Sequence, residues 1–306
     1  MTTSVLDDAD YWRALNPSLS VDGAACDSGG MANRSLAVSE SELISAQVRE
    51  NGFFKLTELI PTATTIPLAA AVCALVARRL PPIFLAIYDE FWGFIQSLGS
   101  TFESVLGADY LVRPDFWIWH VDCGPEHRGW RPHRDAPFLA PLGRDSFVRL
   151  DGTARMCTLW IALTDATLQN SCIHVLPKSR DPQFKAFMAG LELPWIQALG
   201  ARIDLRQAEA LPVSAGSVLG WVPYLLHWGG QSTSAARHPR ISIGLYCAAS
   251  DLLLPDSADL LVHPREFFSR RRLIANLIEK YRKSGHLSEP GSVSPEILSF
   301  ARRWSG

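Results

Sequence analysis

The chain has 306 residues, 47% of them hydrophobic, enough to bury about three quarters of the surface its unfolded form exposes, so one domain with helical additions is the simplest organisation. Its 29 Lys and Arg against 31 Asp and Glu give a net charge of -2, which excludes the bulk basic excess that binds nucleic acid or an anionic membrane and leaves a small-molecule substrate as the expected partner. The longest apolar run, Ile66 to Ala77, is short of the roughly 20 residues of a membrane span, the opening MTTSVLDDAD has no charged-then-apolar leader, and the six scattered cysteines fit reduced thiols, so a cytoplasmic location is expected.

Residues 1–37 are rich in Asp, Ser, Gly and Ala and read as an arm with a short helical piece around Tyr11 to Leu15. Ser39 or Ser41 is placed to cap a helix that runs to about Glu50 and stops at Asn51-Gly52. Phe53-Phe54-Lys55-Leu56 reads as a strand. Two apolar helices follow, Ile66 to Arg79 and Pro82 to Leu98, the second opened by prolines whose missing N–H costs nothing in a first turn. From Phe116 the texture changes to short β-rich runs separated by Gly and Pro: FWIWHV, CTLWIAL, CIHVL, SVLGWV and RISIGLYC. After Pro264 it turns helical again, with Phe267, Phe268, Ile274, Leu277, Ile278 and Tyr281 at helical spacing. The expected organisation is an N-terminal arm and helix over 1-50, a β core over 51-263 with a helical insert at 64-99 and a long loop at 136-155, and C-terminal helices over 264-306.

The most informative feature is His133-Arg134-Asp135, answered 94 residues later by His227 and then by Arg240 at the mouth of an apolar strand. Alternate residues of a strand point the same way, so His133 and Asp135 can reach one ion while Arg134 faces elsewhere, with His227 supplied by a strand folded alongside. Two imidazoles and one carboxylate hold three positions on one face of an octahedral Fe(II) and leave the others open for a co-substrate and dioxygen, which is oxygenase chemistry. A lone His-x-Asp is also what a loop histidine beside a surface aspartate looks like, so the tripeptide is weighed with its surroundings.

Those surroundings resemble, in order, the phytanoyl-CoA dioxygenase family of Fe(II)/2-oxoglutarate oxygenases, over roughly Gly52 to Tyr246. PHRDAPF carries the first two ligands. TLWIALTDATLQNSCIHVLPKSR is similar to the family's tryptophan strand, turn and Pro-Gly-Ser-His segment, and SVLGWVPYLLHWGGQSTSAARHPRISIGLY to its distal histidine and arginine block. The resemblance implies a mainly β fold with flanking helices, a double-stranded β-helix of the jelly-roll, cupin-like kind whose open end holds the metal. It implies Fe(II), 2-oxoglutarate and O2, with His133, Asp135 and His227 as the iron ligands and Arg240 pairing the distal carboxylate of 2-oxoglutarate, a role that suits a planar, permanently charged guanidinium. Arg237 is a rival. Arg240 is preferred because Ile241-Ser242-Ile243-Gly244 follows it directly as a strand. Trp160 falls where the family places a tryptophan near the co-substrate, with an ordinary core aromatic as the other reading, and Ser242 either adds a hydroxyl to the same carboxylate or turns outward. Asp135 argues against halogenation, because related halogenases carry a small residue there. The expected reaction is hydroxylation, or another oxidation, of an unactivated C–H, with succinate and CO2 as co-products and a place in specialised metabolism.

The sequence departs from the pattern at Pro177-Lys178-Ser179-Arg180, which lacks the glycine and histidine of the Pro-Gly-Ser-His turn, and at Gly229, where a small polar residue is usual. An insert between Asp135 and Trp160, FLAPLGRDSFVRLDGTARM, is a candidate lid or substrate wall and puts the usual acyl-CoA type of substrate in question. The substrate candidates are Trp119, His120, Asp122, Arg128 and Arg131: Trp117 and Trp119 alternate with His120 and Asp122 along one strand, and Arg128 and Arg131 flank Trp130 as a possible anion clamp. His174 reads as core. A jelly-roll hydrolase or isomerase on another metal, and a non-catalytic binding protein on the same scaffold, are the competing readings. Oligomeric state and the prime substrate are left open by the sequence.

Overall fold

Short apolar segments with alternating faces build two sheets. The computed structural model describes residues 4–23, 36–135, 153–188, 204–252, 266–283 and 293–305, with the single positions 147, 149 and 287. Its strands are β1 (Phe53–Leu56), β2 (Tyr110–Val121), β3 (Met156–Ala162), β4 (Ile173–Leu176), β5 (Glu209–Leu211), β6 (Val218–Trp221), β7 (Leu226–Gly229) and β8 (Arg240–Ala249). They pair antiparallel as a larger sheet, β1-β6-β3-β8-β2, and a smaller one, β5-β4-β7. Side chains of both sheets line one cavity, the arrangement of a double-stranded β-helix. The central strand β3 is buried at every residue, which explains why CTLWIAL reads as a continuous apolar run and not as an alternating one.

Two details of register position the site. Pro114 has no N–H to give to the ladder, and the β2–β8 register shifts between Val112 and Phe116. Pairing then resumes with Trp117 opposite Gly244, Trp119 opposite Ser242 and Val121 opposite Arg240. Because side chains alternate, Trp117 and Trp119 come to the same face as Arg240, Ser242 and Gly244.

The helices are α1 (Ala9–Leu15), α2 (Val38–Asn51), α3 (Thr62–Ala77), α4 (Asp89–Gln96), α5 (Gly99–Leu106), α6 (Pro182–Met188), α7 (Phe267–Lys283) and α8 (Pro295–Trp304). Neither Ser39 nor Ser41 caps α2. The helix starts one turn early, at Ala37, whose N–H donates to the Glu40 carboxylate at 2.9 Å, and Gly52 in the left-handed region ends it as expected. The single helix expected over Pro82 to Leu98 is broken: a 3-10 turn, Pro82–Ile87, gives way to extended backbone at Tyr88 before α4 begins. Burial of Asp89 explains the break. Its carboxylate accepts from the Ser20 hydroxyl at 2.7 Å and from the N–H of Asp22 at 3.0 Å, and it pairs with Arg270 of α7, both side chains being fully buried. The N-terminal arm is tied to the same region, since Trp12 is fully buried, stacks on Phe84 at 5.1 Å, and its carbonyl accepts from the Tyr88 hydroxyl at 3.0 Å. Each such large apolar side chain contributes on the order of 1.5 to 3 kcal/mol of transfer free energy. Strands β5 and β7 and helix α5 are short elements that the apolar pattern does not announce. Most of the insert read as a candidate lid falls outside the described residues, and His263, His286 and Cys26 lie outside them as well. No described helix is long and apolar enough to cross a membrane.

Candidate metal centre and co-substrate pocket

The three expected ligands converge. His133 lies in the loop after β2 and forms an isolated antiparallel bridge with His227 of β7: each histidine N–H donates to the other's carbonyl at 3.0 Å. This backbone pair sets the two rings side by side, centroids 4.2 Å apart. Nδ1–H of His133 donates to the Arg131 carbonyl at 2.8 Å, and Nδ1–H of His227 to the Leu225 carbonyl at 3.0 Å. A carbonyl only accepts, so both tautomers are fixed with the Nε2 lone pair facing inward, as metal ligation requires. The two Nε2 atoms stand 3.4 and 3.6 Å from Asp135 Oδ1, and one ligand atom from each residue falls within 4.8 Å of the other two.

Asp135 is 1% exposed and held by three residues of the larger sheet. Its Oδ2 accepts from the Thr158 hydroxyl at 2.7 Å and from Trp221 Nε1–H at 3.0 Å, and its Oδ1 from the Tyr246 hydroxyl at 3.1 Å. Burial by itself pushes this carboxyl up, but the fields of His227 and His133 and the Thr158 hydrogen bond hold it well below the usual carboxylate range. Burial drives His227 down to about 4 even though Asp135 opposes it, so its imidazole is neutral at working pH, the form that ligates metal. Thr158, Trp221 and Tyr246 did not stand out in the sequence, yet they form one row across β6, β3 and β8, Thr158 lying opposite both of the others. Strand parity was the available signal: Thr158 shares a face with Trp160, and Tyr246 with Arg240 and Ser242.

Arg240 enters the same cavity. It is 1% exposed, with its guanidinium 5.5 Å from the centre of the Trp160 ring and one terminal N–H donating to Ser242 Oγ at 3.3 Å. Ser242 therefore faces inward, while Arg237 is exposed on the surface. No described carboxylate lies within ion-pair distance of Arg240, and Arg240 Nε and Trp160 Nε1 are buried with no acceptor. Burial lowers this guanidinium from 12.5 to about 10. An uncompensated buried cation beside two orphaned donors fits an anionic ligand, and the neighbouring two imidazoles and one carboxylate fit a divalent iron.

The remaining candidates divide by face. Trp119 lines the cavity together with Trp117 and Trp130. His120 and Asp122 turn to the other side of β2, as alternation demands once the tryptophans face in, and Asp122 is exposed, its carboxylate accepting from the Cys123 N–H at 2.8 Å. Arg128 and Arg131 are also exposed. Arg131 lies over the Trp130 ring at 5.4 Å, and neither arginine side chain is among the cavity lining. His174 turns away from the cavity and stacks on Trp228 at 5.5 Å.

Both departures from the family pattern have structural accounts. A Cβ on Gly229 would stand 2.5 Å from Gly129 Cα, so β7 and the loop that carries His133 approach too closely for any side chain at either position. Arg180 points to the surface, where it meets Glu209 at 3.1 Å. The cation that serves the site is instead Arg134, which pairs with fully buried Asp181 at 2.6 Å and donates to Gln183 and to the Tyr224 carbonyl, fixing the ligand loop to the start of α6.

A family model described as phytanoyl-CoA dioxygenase (PhyH) matches residues 83–241, slightly more than half of the chain. A comparison with curated protein sequences finds no match. Among solved structures, the epimerase SnoN in complex with Fe3+, alpha ketoglutarate and nogalamycin RO is similar at 15% identity and a TM-score of 0.53, covering 70% of this chain and 85% of that one. ThoJ in its apo form, a non-heme monooxygenase, is similar at 18% identity and a TM-score of 0.50, covering 67% and 77%. AviO1 from Streptomyces viridochromogenes Tue57 stands at 16% identity and 0.51, covering 71% and 99%. At these identities the likeness establishes the shared fold.

Proposed function

The chain belongs to the phytanoyl-CoA dioxygenase family, whose metal and co-substrates are Fe(II), 2-oxoglutarate and dioxygen, and we propose that it hydroxylates or otherwise oxidises an unactivated C–H bond of a small molecule, releasing succinate and CO2. One observation carries the reading: His133, Asp135 and His227 present ligand atoms within 4.8 Å of one another, and the cavity they face also holds Arg240, a buried cation with no described counter-ion.

In this reading His133, Asp135 and His227 hold the iron. Bound iron with 2-oxoglutarate and dioxygen supplies the oxidising power that breaks a C–H bond. The chain's own residues do the rest. Thr158 and Trp221 hold one carboxylate oxygen of Asp135 and leave Oδ1 turned toward the imidazoles, so the ligand set needs little rearrangement to bind metal. Arg240 pairs the distal carboxylate of 2-oxoglutarate, Ser242 orients the guanidinium, and Trp160 covers its face. The exposed position of Arg237 supports Arg240 for this role. A hydrolase or isomerase on the same scaffold has no use for a buried cation placed beyond the last ligand. The free thiols of the described cysteines support a cytoplasmic setting.

The test is anaerobic addition of Fe(II) and then 2-oxoglutarate. The expected result is a weak visible charge-transfer band that needs both components and that Asp135→Ala abolishes, followed under air by slow succinate release. A parent protein that gives no band and releases no succinate would overturn the assignment.

A further inference from the structure

The cavity divides into two chemically distinct halves. Asp135 and Arg240 are the charged side chains among its described lining residues and His133 and His227 its imidazoles, and the reading above commits all four to metal and co-substrate. The other half is aromatic. Trp117 and Trp119 rise from β2, Trp130 closes in from the ligand loop, and Tyr281 reaches across from α7. Trp117 and Tyr281 lie 4.3 Å apart at 36°, and Trp119 and Trp130 lie 6.1 Å apart at 42°, two tilted pairs that present faces as well as edges. Ile173 of β4 adds an aliphatic wall on the opposite side.

The arrangement of Tyr281 is specific. Its hydroxyl donates to Asp115 Oδ1 at 3.2 Å, and the other oxygen of Asp115 accepts from Lys280 Nζ at 2.6 Å, so the ring is held by its polar end while its face meets Trp117. Helix α7 lies beyond residues 83–241, the part of the chain that the family model matches. The wall that it supplies therefore comes from outside the matched part of the chain.

Charge decides which substrates such a wall suits. The iron dication, the 2-oxoglutarate dianion, the Asp135 carboxylate and the Arg240 guanidinium sum to zero. A charged substrate would bring an uncompensated charge into a mostly apolar cavity, where its desolvation is costly. Aromatic faces attract cations too, but the balanced set leaves no carboxylate free to pair with one. Flat uncharged rings gain both area burial and stacking.

Resting on the reading of the metal centre given above, we propose that the prime substrate is an uncharged molecule with a flat ring system, bound between the Trp117/Tyr281 and Trp119/Trp130 pairs, and that Tyr281 is its specificity-determining residue. The probe is 2-naphthol, titrated by its own fluorescence into anaerobic protein loaded with Fe(II) and 2-oxoglutarate, beside 2-naphthoate and phenyltrimethylammonium as anionic and cationic counterparts followed by thermal shift. The neutral probe is expected to bind at least tenfold more tightly than either ion. Tyr281→Ala weakens it about tenfold and Tyr281→Phe less than twofold, while the 2-oxoglutarate charge-transfer band stays as in the parent. Trp130→Ala, in a loop, gives the same loss and serves if Tyr281→Ala does not fold. Equal or tighter binding of either ion, or unchanged naphthol affinity in a folded Tyr281→Ala or Trp130→Ala protein, overturns this inference alone. Absence of the band in the parent overturns the metal reading beneath it.

Discussion

Replacing Arg240 with leucine should have opposite effects on the ligand-free and the ligand-bound protein. Burial lowers the guanidinium from 12.5 to about 10, which corresponds to about 3 kcal/mol against its charged form in the folded state. A cation whose folded value lies below its unfolded one costs stability at every pH below the folded value, and the cost fades only as pH climbs from about 10 toward 12.5. At neutral pH the ligand-free protein therefore carries the full cost, offset in part by the Trp160 face and the Ser242 hydroxyl. Leucine removes the charge and refills most of the volume, so the ligand-free variant is expected to melt no lower than the parent, and higher by roughly 2 °C for each kcal/mol recovered. The co-substrate responds in the other direction. Losing a buried charge pair worth roughly 2 to 5 kcal/mol weakens 2-oxoglutarate by about 30-fold to several thousand-fold. Thermal melts of Ni(II)-loaded protein across a 2-oxoglutarate titration measure both quantities in one experiment. A variant that melts several degrees lower without ligand, yet keeps the parent's 2-oxoglutarate shift, would refute the reasoning. Arg237→Ala, at an exposed position, should match the parent in both readouts.

Three further substitutions probe the scaffold. Gly229→Ala places a Cβ 2.5 Å from the Gly129 backbone, so the loop carrying His133 has to move away from β7; Ni(II) affinity by calorimetry should fall at least tenfold, and an unchanged affinity would count against the close approach. Gly244→Val meets nothing closer than 3.9 Å at its Cβ, so melting should change by only a few degrees, but the branched side chain rises into the cavity between Trp160 and Trp117, and the 2-oxoglutarate-dependent band should need far more co-substrate. Retention of the parent's titration curve would mean that the co-substrate does not lie over Gly244. Arg134→Leu leaves fully buried Asp181 without its partner, at a cost of about 3 to 5 kcal/mol, and adding Asp181→Leu should recover much of the lost melting temperature; a double variant no better than the single one would contradict this account.

What the sequence made legible follows the range over which its signals act. The ligand trio and Arg240 were readable from the order of His-x-Asp, a distant histidine and an arginine leading into an apolar strand, although His133 and Asp135 lie in a loop joined to β7 by a single bridge and not on the alternating strand expected for them. Strand alternation left a choice of face at Trp117, Trp119, His120 and Asp122. Only the β2–β8 register, reset after Pro114, turns the tryptophans inward and sends His120 and Asp122 outward. The helix break at Tyr88 was not legible, because Asp89 is buried against Ser20 and Arg270, residues 69 and 181 positions away in the chain. Gly229 looked like a lost polar residue. Its reason lies in Gly129, on a different segment, and no local pattern connects the two.

The site also shows why the ligands come from such separated stretches. Both histidines belong to the side of the smaller sheet: His227 is in β7, and His133 is fastened to it by two reciprocal backbone hydrogen bonds. Asp135 is fastened to the other side, since Thr158, Trp221 and Tyr246 belong to β3, β6 and β8 of the larger sheet. The histidine pair and the carboxylate are thus anchored to different sheets, with 3.4 and 3.6 Å between the Nε2 atoms and Asp135 Oδ1. A metal bound to all three residues joins the sheets at their open end, and binding free energy is drawn from holding that spacing fixed beforehand. Arg134, between His133 and Asp135 in sequence, is where the two fastenings meet. Its ion pair with Asp181 and its bond to the Tyr224 carbonyl anchor the peptide between the two ligands.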